Sequence, residues 1–153
     1  MNNLNNYTNP APLEGTYRIA DPSKRLVAYL IDVAVVGVLS FVFGILSGIF
    51  ILFGGFGPLL AVGIWLVYIV GLLLFYIRYW KNSTSFGKSM MKMKVVTKDG
   101  HANLGLGNMV LREIIGKMIS GAAMSLGYIW ILIDADKQGF HDKLVSSVVV
   151  VVE

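Results

Sequence analysis

The 153-residue chain contains no cysteine, which excludes disulfides, thiolate metal sites and cysteine nucleophiles. Charge is scarce too. Only 14% of residues are Asp, Glu, Lys or Arg, against 56% hydrophobic and a mean hydropathy of +0.68, outside the usual range of soluble domains. The two histidines, His101 and His141, lack the paired spacing of a zinc site, and no serine stands with a nearby His and acid in an order that suggests a nucleophile. No enzymatic activity, cofactor or metal is therefore expected. The net charge of +4 and pI near 9.4 do not point to nucleic acid, because the basic residues flank apolar segments instead of forming one patch.

What the chain has in abundance is apolar sequence. From Leu26 to Ile77 the only charged residue is Asp32, and the helix-breaking cluster Gly54-Gly55-Phe56-Gly57-Pro58 divides the run. Two spanning helices are predicted over residues 24–53 and 59–80, each long enough for the roughly 20 residues a bilayer core requires. Ahead of them, residues 1–17 are Asn-rich and lack a basic n-region, so a disordered polar tail is expected in place of a signal peptide. Residues 18–153 then form a single membrane domain.

Orientation follows from the basic residues. Arg18, Lys24 and Arg25 precede the helical pair, none lies in its turn, and Arg78, Lys81, Lys88, Lys92, Lys94 and Lys98 follow it. The amino end and the loop at 81–108 are thus expected in the cytoplasm and the protein in the inner membrane. Tyr29, Tyr76, Tyr79 and Trp80 suit an interfacial belt or simple packing. Ser40, Gly44 and Gly48 recur every four residues and predict a helix-packing seam, directed at the second helix or at another subunit.

The loop is predicted to carry a short helix capped by Ser83 or Thr84, with Phe86, Met90 and Met91 on its apolar side and Lys88 and Lys92 opposite, resting on an anionic leaflet. Met93 to Thr97 reads as a strand leading to an Asp99-Gly100 turn. Residues 109–134 are apolar, yet Arg112, Glu113 and Lys117 occupy their first third and only Met118 to Ile133 is free of charge. Sixteen residues are short for a span. The valines from Val148 to Val152 predict a strand over 147–152, whose natural partner is Met93 to Thr97. If the two pair, the region between them must leave and return on one side, as a kinked or re-entrant helical hairpin. The fold class is therefore an all-α membrane protein with two transmembrane helices, a third broken apolar region and a small cytoplasmic strand pair.

Asp32 is the most informative residue, since an ionisable group in a membrane helix costs about 2.5 to 3.5 kcal/mol and calls for a partner. Arg25, seven residues earlier, lies about 10 Å away along the helix axis. The missing partner is expected from Arg112 or from the His141-Asp142 segment. Asp32 then serves either as a cation or proton site or in a structural ion pair. Two motifs are decoys: Asn82 to Ser89 ends like a phosphate-binding loop but has no soluble strand before it, and Asp134 to Gly139 opens like a calcium loop whose twelfth position is Val145.

Arg25, Asp32, the run Ser85-Phe86-Gly87-Lys88 to Lys94-Val95-Val96-Thr97-Lys98-Asp99-Gly100, Leu111-Arg112, and Gly139-Phe140-His141-Asp142-Lys143-Leu144 together resemble the RDD family of small membrane proteins. The resemblance runs from about Pro22 to Val152, with Ser146-Ser147 standing where the family often carries a Thr-containing pair. It implies that the family's arginine and two aspartates are Arg25, Asp32 and Asp142, and it suggests transport of a ligand. The expectation is a transport-related protein for a cation, proton or small solute, self-associated through the Ser40-Gly44-Gly48 seam. The alternative is a non-transporting scaffold that partners lipid or another membrane protein.

Overall fold

The computed structural model of the chain describes residues 18–99, 102–122 and 126–152. The expected polar tail, and Gly100 and His101 of the turn after the second strand, lie outside the described residues.

Two long helices dominate. Helix α1, Pro22–Leu52, begins with Pro22, whose missing N–H costs nothing in a first turn. Gly54 and Gly55, at φ of 63° and 56°, then reverse the chain through left-handed backbone that branched residues avoid. Helix α2, Gly57–Lys81, returns antiparallel against α1. At 1.5 Å per residue they are about 46 and 38 Å long, both exceeding a hydrocarbon core of about 30 Å. Only 6% and 11% of their most apolar windows are buried within the chain, so nearly all of this apolar surface faces outward, as lipid contact demands.

Between the two helices the contacts carry a polar thread. The Ser40 and Tyr68 hydroxyls lie 2.5 Å apart, the Trp65 indole donates to Ser47 Oγ at 3.1 Å, and the Tyr68 ring stacks 4.8 Å from Phe43. Ser40, one of the three residues of the predicted seam, thus does face α2. Gly44 and Gly48 do not: a Cβ added at either would meet nothing within 4 Å.

Short elements cap one end of this hairpin. After α2 come helix α3, Phe86–Met90, and strand β2, Met93–Thr97. A helical stretch follows as α4, Leu106–Val110, a π-helical turn at Leu111–Gly116, and α5, Lys117–Ala122. Helix α6, Leu126–Ile133, packs back on α5, and α7, Phe140–Leu144, leads into the last strand, Ser147–Val151. Neither α5 nor α6 approaches the length of a span.

The last strand, β3, is central to its sheet and pairs antiparallel with β2, Val149 opposite Val95. Its other edge binds Arg18–Ile19, here β1, so the expected strand pair is a three-stranded sheet. Two residues carry too little periodicity to announce a strand, and it is the open edge of β3 that makes them one. Met93, Val95 and Val149 pack with Ala20, Ala28, Leu104, Met109 and Trp80, which pins the ends of both long helices to the sheet. Trp80 is 8% exposed, so packing and not a lipid interface accounts for it.

Candidate functional site

Arg25 sits one turn into α1 and acts as a clasp. Its guanidinium donates to three backbone carbonyls from separate segments: Ala20 at 3.1 Å, Lys137 at 2.6 Å and Val149 at 3.2 Å. It also reaches Asp142 Oδ2 at 3.4 Å. Asp142 lies on α7 and is fully buried, with its Oδ2 accepting further from the Gly139 N–H at 3.1 Å. Arg112 grips the other oxygen, Oδ1, through Nε at 2.8 Å and Nη2 at 2.5 Å. Burial pushes the Asp142 carboxyl up, but Arg112, with His141 and Arg25 behind it, outweighs that and holds it below the usual range.

The π-helical turn places two consecutive residues into this cluster. Glu113, beside Arg112, bonds the Arg112 guanidinium, Lys88 Nζ at 3.1 Å and Lys117 Nζ at 2.5 Å. In a regular α-helix neighbours diverge by about 100°, and the wider π turn narrows that divergence. Burial raises the Glu113 carboxyl, and the three cations, Lys88 foremost, bring it well below its ordinary value. Lys88 is itself buried, which lowers its ammonium to about 8 against the pull of Glu113.

Asp32 lies two turns beyond Arg25 and is held by neutral donors. Ser85 Oγ donates to Oδ2 and the Gly87 N–H to Oδ1, each at 2.6 Å. Ser85 is the N-cap of α3, accepting from the Lys88 N–H, so the cap is neither Ser83 nor Thr84. Gly87 is required by packing: a Cβ there would lie 2.0 Å from the Ala28 carbonyl oxygen of α1. The expected division of this segment into faces holds only in part: Met91 packs on the core and Lys92 is exposed, but Lys88 points inward at 8% exposure while Met90 is 62% exposed. The Glu113 carboxylate, 3.1 Å from Lys88 Nζ, draws the ammonium inward against burial and the like charge of Arg112.

Arg25, Asp32, Lys88, Arg112, Lys117, His141 and Asp142 line one cavity of about 490 Å³, walled by Leu26 and Tyr29 of α1 and Ile131 and Leu132 of α6. His141 is buried beside Gly116, where an added Cβ would meet it at 2.8 Å. Burial holds its imidazole down at about 4, against the raising effect of Asp142. Among the described residues no His, Asp and Glu group is arranged to hold a metal. The acids of the calcium-loop decoy are otherwise engaged, Asp134 with Lys143 and the Gln138 N–H, and Asp136 with Lys98 at 2.6 Å.

Arg25, Asp32, Asp142, Arg112 and His141, singled out in the sequence, therefore converge; Ser40, Gly44 and Gly48 lie elsewhere, along α1. The expected pairing is redistributed: the cations meet Asp142 and Glu113, while Asp32 is held by Ser85 and Gly87. Lys88, Glu113 and Lys117 were missed as site residues. For Glu113 and Lys117 a signal was present, because ionisable side chains inside an apolar stretch demand partners and the two stand at i and i+4, whereas Lys88 lies in a polar loop that gives none.

Comparison with known proteins gives one result. No curated protein and no solved structure matches, while the family model described as the RDD family matches residues 19–146, most of the chain. That span takes in Arg25, Asp32 and Asp142, and the chain belongs to the RDD family.

Proposed function

We propose that this membrane protein is transport-related, and that its ligand is a small solute held at the cavity rather than a bare proton or metal cation. One observation carries the reading: Arg25, Asp32 and Asp142 all line the same cavity of about 490 Å³. That volume is in the range of small-molecule sites and far exceeds what an ion needs. Both acids also already accept hydrogen bonds on each oxygen, which suits fixed charges better than exchangeable ion ligands.

The basic flanks favour placing the sheet and cavity on the cytoplasmic face of the inner membrane, with residues 109–134 as a re-entrant hairpin. Two helices enclose little pathway, so self-association completes it, and the open face at Gly44 and Gly48 leaves room for another copy. The scaffold reading draws on a separate observation, the three carbonyls that Arg25 ties together.

Two assays separate the readings. Proteoliposomes of wild type and Asp32→Asn should show no difference in proton or sodium flux, whereas a flux lost in the variant would restore the ion reading. Thermal shifts in phosphatidylcholine nanodiscs, against amino acids, polyamines, sugars and single-chain amphiphiles, should find a ligand that protects wild type but not Leu26→Trp, which fills the cavity mouth. Protection by none of them would favour the scaffold.

A further inference from the structure

We infer that the cavity takes an anionic head group on a long acyl chain, with the head against Lys88, Arg112 and Lys117 and the chain leaving between α1 and α6. The inference rests on the solute reading above and names the class of solute.

Charge sets the sign of the head. Arg25, Lys88, Arg112 and Lys117 all line the cavity. The acids facing them are Asp142 and Glu113 in ion pairs and Asp32 in its neutral cradle, so four cations meet three carboxylates. Lys117 is the most accessible of the basic side chains on Glu113, at 28% exposure, and its Nζ lies 5.7 Å from the Tyr29 ring on the cavity wall. It is the cation best placed to swing onto an incoming phosphate or carboxylate, and Glu113 keeps Lys88 and Arg112 when it does.

The walls require a chain. Pro22, Leu26 and Tyr29 follow one face of α1 at helical spacing, with Ile131 and Leu132 of α6 across from them. Leu26 and Leu132 remain 57% and 63% exposed, so the way out of the cavity runs over apolar side chains. A polar solute has no use for such an exit, and a neutral lipid leaves the excess cation unanswered.

Depth agrees with both. Helix α1 exceeds the hydrocarbon core by about 16 Å, and Pro22 to Asp32 accounts for about 15 Å of helix. With Leu52 at the far boundary, the cavity lies at the level of the lipid head groups. An amphiphile arriving along the bilayer would meet the basic floor with its head and the apolar walls with its chain.

The test is a titration of dansyl-labelled undecanoic acid onto the full chain in phosphatidylcholine nanodiscs. Saturable binding is expected for wild type and for Lys98→Gln, which removes a positive charge elsewhere. Lys117→Gln should weaken binding about tenfold, as loss of a charge-assisted bond would, and Leu26→Trp should abolish it, each with its melting temperature retained. Should Lys117→Gln melt early, the uncharged methyl amide of the probe decides on wild type alone, and it should bind weakly. Equal binding by the amide, or unchanged binding in Leu26→Trp, overturns the inference. Displacement by phosphatidylglycerol in the disc would identify bilayer phospholipid as the source of the head group; displacement by oleate alone would identify a free acid. If an amino acid, polyamine or sugar protects the wild type and the dansyl acid does not bind, the solute reading stands and this class falls. If no probe of any kind binds, both fall.

Discussion

Arg112 places two of its nitrogens on a single oxygen of Asp142, leaving the second oxygen to Arg25 and the Gly139 N–H. The carboxylate is fully buried and the guanidinium side chain 2% exposed, so neither can turn to water if the other is lost.

Asp142→Asn should therefore be strongly destabilising, by about 3 to 5 kcal/mol, because two guanidinium groups lose their shared counter-charge in a dry site. Thermal unfolding in detergent measures it. An unchanged melting temperature would show that water reaches the cluster.

Gly87→Ala should lower the melting temperature by an amount equivalent to at least ~1 to 3 kcal/mol, since its methyl would press on the Ala28 carbonyl and push the loop that holds Asp32 off α1. If the variant is as stable as wild type, α1 and α3 are packed less closely than these distances describe.

Gly44→Ile should leave monomer stability nearly unchanged, as the added side chain starts in open space, yet weaken self-association if that face binds another copy. Light scattering of the detergent-solubilised protein reads the second effect, and identical masses for variant and wild type would remove Gly44 from any interface.

Acid should destabilise the fold before its carboxylates titrate. The His141 imidazole is held at about 4 against an ordinary 6.5. Between those values the unfolded chain binds a proton that the folded one refuses, so stability falls as pH drops from about 6.5 to 4, by about 3 kcal/mol in all. Arg112 and Lys117 oppose the protonated ring, while Asp142 and Glu113 favour it. Unfolding measured across that window should flatten in His141→Gln, whereas the losses from Glu113 and Asp142, whose carboxyls are held low, should begin only below about 4.5 and persist.

Because the chain has no cysteine, topology can be read from single introduced thiols. Phe56→Cys, in the tight turn, and Asp99→Cys and Leu144→Cys, near the sheet, all occupy exposed positions, unlike Val150, which is buried in the strand. An impermeant maleimide applied to intact spheroplasts should label only the first. Labelling of Leu144→Cys from outside while Asp99→Cys stays protected would refute the re-entrant reading of residues 109–134.

Much of this arrangement was legible in the residues alone. The long apolar runs, the Gly-Pro break and the valine strand each report a local preference that a bilayer or a sheet can only satisfy in one way. The pairing of Met93–Thr97 with Ser147–Val151 followed as well, because a strand needs a partner and there was one comparable candidate. Strand β1 and the inward turn of Lys88 were hidden, since neither is visible in periodicity and both depend on groups distant in sequence.

Composition and pattern by themselves determined that this is a membrane-type chain, that two helices are long enough to cross a bilayer, and that Asp32 must be accounted for as a charge in apolar surroundings; Arg25 and Asp142 joined it through the family resemblance. Only the tertiary structure decided who answers whom. Asp32 is met by the Ser85 hydroxyl and the Gly87 N–H, Asp142 takes Arg112 and Arg25, and Glu113 binds Lys88 and Lys117. The reason is physical: insertion cost depends on a residue's own chemistry and its apolar neighbours in sequence, whereas pairing depends on angstrom distances between segments that only packing brings together.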